Sequence, residues 1–128
     1  MHFSLSEYSN HSLLHHGYND IIIENSTIGG LIIFEGFNAS IHDCKIDKSY
    51  QHYIKEQTFL YIQKSVIQIQ NVKFINAQLK SSLALSFLSS DSNSTISIHN
   101  SKFINNSGSQ GLMYIGDNSH IEIINSIF

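Results

Sequence analysis

The chain contains no arginine, no proline and no tryptophan, and only one cysteine, Cys44. Without proline, its turns fall to Gly, Asn, Asp and Ser, which reach bent and left-handed backbone conformations by other means. Without arginine, all seven basic residues are lysines: Lys45, Lys48, Lys55, Lys64, Lys73, Lys80 and Lys102. The commonest bidentate contact to guanine is therefore missing. Lysines scattered along the sequence predict no counterion-releasing footprint, so no nucleic-acid partner is expected. A lone cysteine excludes an internal disulfide and leaves the redox compartment open; a buried free thiol is the simplest reading.

Charge is also scarce, at 13% of residues, with a net charge of −3. That is roughly half the usual charged share. Apolar residues at 41% make the chain too apolar for disorder. The notable uncharged apolar stretch, residues 81–90, is interrupted by serines. It is too short to cross a bilayer, so no membrane span is expected. The opening MHFSLSEYSNHS has no basic region followed by an apolar core, so it does not read as a secretory signal. A length of 128 residues suits one core.

What the sequence does have is a repeat. Five segments align without gaps: IIIENSTI, ASIHDCKI, IQIQNVKF, ISIHNSKF and IEIINSIF, beginning at Ile21, Ala39, Ile67, Ile96 and Ile121. Their third residue is always isoleucine (Ile23, Ile41, Ile69, Ile98, Ile123). The fifth is Asn25, Asp43, Asn71, Asn100 or Asn125, and the eighth is Ile28, Ile46, Phe74, Phe103 or Phe128. The Asn/Asp positions are 18, 28, 29 and 25 residues apart, as in solenoid coils that accept loop insertions.

Within each unit, alternating apolar and polar residues predict a half-buried strand. Asn or Asp at position five breaks that alternation and predicts a corner, because these side chains tolerate left-handed backbone. Second apolar runs, beginning at Leu31, Phe59, Leu83 and Gly111, read as further strands of each coil. Coils stacked about 4.8 Å apart would place like residues in ladders. The expected fold is all-β: a right-handed parallel β-helix of about five coils over residues 20–128, incomplete at the C-terminus, with residues 1–19 as an N-terminal segment or cap. A leucine-rich repeat fits less well, because one residue rather than two separates Ile98 from Asn100 and no helical face follows. An antiparallel barrel or sandwich does not explain units that repeat in one direction, although IGDNSHIEI is a candidate hairpin.

Phe103 with Asn106 matches an F-x-x-N element, and Gly29-Gly30-Leu31-Ile32 is similar to a G-G-A-I element. Through these motifs the chain resembles the repeats of polymorphic outer-membrane proteins and other surface proteins of the pectin-lyase-like β-helix fold. The match is partial: Ala77 stands where Asn would follow Phe74, and Gly111-Leu112 keeps half of the glycine pair. The resemblance implies a large exported protein with an adhesive or structural role. It also brings an alternative, a fragment of a polysaccharide lyase or hydrolase whose catalytic coils lie elsewhere.

The residues themselves give that alternative little support. Lyases of this fold use an Arg or Lys base beside acidic calcium ligands, and hydrolases use clustered aspartates. Here arginine is absent, and Glu24, Asp43, Asp47, Asp91, Asp117 and Glu122 are dispersed. His42 and His99 share an outward column but are separated by Gln70, about 10 Å over two rungs, too far to share one zinc ion. His11, His15 and His16 lack further ligands nearby and read as a polar terminal segment. No enzyme activity, cofactor or metal is expected.

The candidate contact surface for a protein or glycan at the cell surface is the aromatic stretch containing Tyr50, Tyr53, Phe59 and Tyr61, in the long 28-residue spacing. The competing reading is that Phe59 and Tyr61 begin the next strand while Tyr50 and Tyr53 cover the coil. Five glycosylation sequons, at Asn10, Asn25, Asn38, Asn93 and Asn105, exceed the about two expected from composition and point to export. Because Phe128 is the eighth residue of the fifth unit, the final coil is expected to be unsealed, to continue into further coils or a cap, and otherwise to self-associate edge to edge.

Overall fold

Each repeat unit becomes a strand, and the strands lie side by side in sequence order. In the computed structural model the described residues are 2–5, 9–10, 13–17, 20–29, 32–50, 59–79, 88–90, 93–108 and 113–128; side chains are described for 21–29, 32–49, 59–77, 93–107 and 113–128. The first sheet contains Asp20–Glu24, Asn38–His42, Val66–Gln70, Thr95–His99 and His120–Ile124, paired in parallel. Its register sets Ile23 opposite Ile41, Ile41 opposite Ile69, Ile69 opposite Ile98 and Ile98 opposite Ile123. A one-residue slip would turn every one of these isoleucines toward water, so burial itself holds the register.

A second sheet contains Thr27–Ile28, Lys45–Asp47, Lys73–Ile75 and Lys102–Ile104, also parallel, with Phe74 between Ile46 and Phe103. The second apolar runs form a third, in which Ile32–Glu35, Leu60–Gln63, Leu88–Ser90 and Met113–Ile115 pair in parallel. Gln78–Leu79 and Ser107–Gly108 add a two-stranded parallel sheet. The N-terminal strands His2–Leu5, Ser9–Asn10 and Leu13–Gly17 run the other way, each pairing antiparallel with the first strand of one large sheet. The chain is thus all-β; among the described residues its repeats contribute five, four and four strands to the three larger parallel sheets.

Left-handed residues turn the chain between sheets. Asn25, Asp43, Asn71, Asn100 and Asn125, the fifth-position residues, all have φ between 50 and 55°. Two further corner columns were not foreseen. Gly36, Lys64, Asn93 and Asn118 form one, with φ of 76, 50, 49 and 57°, and Asn76 and Asn105 form another, with φ of 62 and 54°. Lys64 is the exception in chemistry, since a side chain without a short polar group pays the full left-handed penalty, about 1–2 kcal/mol.

At two of the corner columns, serines bridge backbone groups of adjacent repeats. After the fifth-position column, Ser101 Oγ donates to His99 O at 2.9 Å and accepts from the Val72 amide at 3.2 Å. Ser126 does the same for Ile124 O and the Ser101 amide. At the other corner, Ser65 Oγ donates to Gln63 O and accepts from Phe37 N, while Ser94 and Ser119 accept the amides of Ser65 and Ser94. One hydroxyl therefore satisfies two groups belonging to adjacent repeats. Cys44 takes a serine's place once, with its thiol 3.2 Å from His42 O.

The core follows from these columns. Ile21, Ile23, Ile41, Ile67, Ile69, Ile96 and Ile98 are buried from the first sheet, with Phe34, Leu60 and Ile62 from the third and Ile46 and Phe74 from the second. Phe74, Phe103 and Phe128 stack with centroids 4.5 and 4.6 Å apart and rings 9° from parallel. The strand spacing imposes that face-to-face arrangement. The last unit is less covered: Ile123 is 41% exposed, Ile127 62% and Phe128 54%.

Candidate functional site

Outward positions of the first two sheets, and the corner between them, gather the polar chemistry. Glu24 and His42 face each other on adjacent rungs. His42 Nε2 lies 3.2 Å from Glu24 Oε2 and its Nδ1 lies 3.0 Å from Asp43 Oδ2. The Asn71 amide donates to Asp43 Oδ1 at 3.1 Å. Hydrogen bonds from His42 and then Asn71 hold the Asp43 carboxyl below the ordinary carboxylate range. This is a closed polar pair of rungs without a nucleophile beside it, because the Cys44 thiol is turned inward and burial pushes it above its ordinary value. The Glu24 and His42 pairing escaped the sequence reading, which treated the acids as dispersed. His99 repeats the theme loosely, its Nε2 3.9 Å from Glu122 Oε2, beyond hydrogen-bond reach.

An open groove of about 450 Å³ runs along this corner between Asn25, Asp43 and Asn71 on one side and Thr27, Lys45 and Lys73 on the other. Lys45, Lys73 and Lys102 occupy opposed positions of three neighbouring strands, so they form a lysine ladder. The expectation of dispersed basic residues is corrected here: lysines 28 and 29 positions apart in sequence become neighbours because the repeat brings position seven of each unit to one column. The aligned units carry that signal, as Lys stands at position seven in three of the five.

Lys45 is held by Asp47, with Nζ to Oδ2 at 2.9 Å. Asp47 is only 2% exposed. Burial alone would raise its carboxyl, but hydrogen bonds from the Ser49 hydroxyl, the Lys45 ammonium, the Ser49 amide and the Asn76 side chain outweigh it and bring the pKa down to about 2. The neighbouring Lys48, also 2% exposed, sets its ammonium 5.8 Å from the centre of the Phe59 ring. Among the described residues no carboxylate pairs with Lys73 or Lys102, and both are exposed.

Of the four aromatic contact candidates, Phe59 is corrected outright. It is fully buried and meets Phe74 edge-on, centroids 5.2 Å apart, so it belongs to the core. Tyr61 is half-buried on the strand Leu60–Gln63. Tyr50 closes the short 3-10 turn Lys48–Tyr50, its side chain lies outside the described residues, and Tyr53 lies outside them altogether. Asn25, Asn38, Asn93 and Asn105 are exposed, and Asn10 lies in the strand Ser9–Asn10, its side chain outside the described set. Asn105 Nδ2, the atom a glycan would occupy, donates to Asn76 Oδ1 at 2.9 Å.

Among the described residues, no group of three or more His, Cys, Asp or Glu side chains is placed to hold a metal ion, and no helix is long and apolar enough to cross a membrane. Compared with known proteins, the chain matches no family model, no curated protein and no solved structure.

Proposed function

We propose that the chain is a short right-handed parallel β-helix serving as a non-catalytic structural or adhesive module of a larger surface or secreted protein, akin to the pectin-lyase-like repeats of polymorphic outer-membrane proteins. The observation that carries this reading is the constant register of three parallel sheets, in which successive repeats supply successive strands. Such an arrangement generates long, regular outward columns rather than a converging pocket. Three acidic groups in and between the first two sheets support a non-catalytic role, being occupied by neighbours: Glu24 and Asp43 by His42, and Asp47 by Lys45, Ser49 and Asn76. Exposed Asn38 and Asn93 would accept glycans at the surface of an exported protein.

Beads coated with the purified chain test this directly when they are added to cells and to polysaccharide-coated surfaces. Attachment without turnover is the expected result. Release of unsaturated or reducing-end sugars, abolished by Glu24→Gln or Asp43→Asn, would replace the adhesive reading with an enzymatic one. Absence of both attachment and turnover would defeat it.

A further inference from the structure

Lys73 and Lys102 stand directly opposite one another on adjacent strands, with Lys45 continuing the column. Like charges placed so are mutually destabilising. Lys45 is compensated by Asp47, but no carboxylate among the described residues answers Lys73 or Lys102. The outer surface of this sheet therefore holds adjacent cations at the strand spacing, about 4.8 Å, with their charge left for a partner. Beside them the corner presents Asn71, Asn25 and Thr27 across an open groove. Amides and hydroxyls of this kind both donate and accept hydrogen bonds, matching the hydroxyls of a sugar chain.

Resting on the adhesive reading above, we propose that the lysine ladder and the adjoining asparagine corner bind a linear anionic glycan lying along the repeat direction. Its sulfate or carboxylate groups sit against Lys73 and Lys102, and its hydroxyls meet the corner amides. The features that favour a glycan over a nucleic acid are also local. The residues lining the groove include no aromatic to stack on a base, and the chain has no arginine. Asp43 gives the groove a polarity: it lies one rung from Asn71 and repels an anion, so the charged groups of the glycan register on the Lys73 and Lys102 side. The site is exposed, and salt weakens it accordingly.

Binding of the 128-residue chain to immobilised heparin, alginate, uncharged dextran, single-stranded poly-dT and phosphatidylserine vesicles tests the assignment. Retention on heparin, alginate or both is expected, falling with added salt, and the two arms separate sulfate from carboxylate recognition. The Lys73→Gln/Lys102→Gln double variant should lose about tenfold in affinity, as expected when an interface loses its complementary charges. Its thermal midpoint at low salt should equal or exceed that of the parent, which shows that the loss is not unfolding. Asp43→Asn should tighten binding, while Lys64→Asn, at a different corner, should leave it unchanged. The proposal is overturned if neither anionic glycan binds, if poly-dT or the vesicles bind more tightly than both, or if Lys64→Asn weakens binding as much as the double variant. Cell attachment that persists without any anionic-glycan binding would refute the lysine assignment alone. Loss of cell attachment together with intact heparin binding would refute only the adhesive role.

Discussion

Among the described carboxyls, Asp47 should carry the largest acid-dependent share of stability. Its folded pKa is about 2 against an ordinary 3.8. A carboxyl whose pKa is depressed on folding contributes stability that is fully present above the unfolded value and is lost as the pH falls through the folded one. The difference of these values, 3.8 minus about 2, corresponds to roughly 2.5 kcal/mol at neutral pH. The carboxylate is covered but lies near the surface, so solvent screening makes this figure an upper bound. About half of it should be gone at pH 3 and nearly all below pH 2. The assay is urea unfolding of the parent and of Asp47→Asn across pH 7 to 2, scored as the difference between the two so that the other carboxyls cancel. The gap should narrow by roughly 2 kcal/mol between pH 7 and pH 2. A gap that stays constant from pH 5 to pH 2, or that closes above pH 5, would refute the assignment of these hydrogen bonds to an ionised Asp47.

Other consequences are equally direct. Ile98→Asp should unfold the chain, since a buried unpaired charge costs several kcal/mol, while outward Gln70→Glu should be mild; dichroism melts compare them. Ser101→Ala leaves the Val72 amide without its acceptor, while the His99 carbonyl keeps the Asn71 amide, and should cost about 1–3 kcal/mol by urea titration. Lys64→Asn relieves a left-handed lysine and should raise stability by about 0.5–1 kcal/mol, read as a higher urea midpoint. The 128-residue chain in isolation should self-associate through the edge strand His120–Ile124 and the exposed Ile127 and Phe128; sedimentation showing a monomer at high concentration would contradict this.

The features legible in sequence are those that depend on local chemistry. Isoleucine at the third position of every unit marks a buried column, since strand alternation alone decides which face it occupies. Asn and Asp at position five mark the corners because they enter left-handed backbone cheaply. Lys64 carries no such preference; it turns its corner because Asn93 and Asn118 do so on the following repeats. Asp47 and Lys48 also read as surface residues. Only the surrounding hydrogen bonds and the Phe59 ring explain their burial. Phe59 itself was ambiguous because an aromatic at a loop-to-strand boundary packs or projects according to its neighbours, here Phe74. The lysine ladder becomes visible only after the units are aligned in register, since charge proximity across 28 or 29 residues is a property of stacking.

The steps between corresponding corner residues have an evolutionary consequence. Lys64 to Asn93, Asn71 to Asn100 and Asn76 to Asn105 are each separated by 29 residues. A duplication or deletion of that length within this window would add or remove one strand in each of the first two parallel sheets while the neighbouring strands keep their register. The length of such a chain can therefore change in whole steps without a search for new packing in those sheets, each step raising or lowering the number of lysines presented along one face.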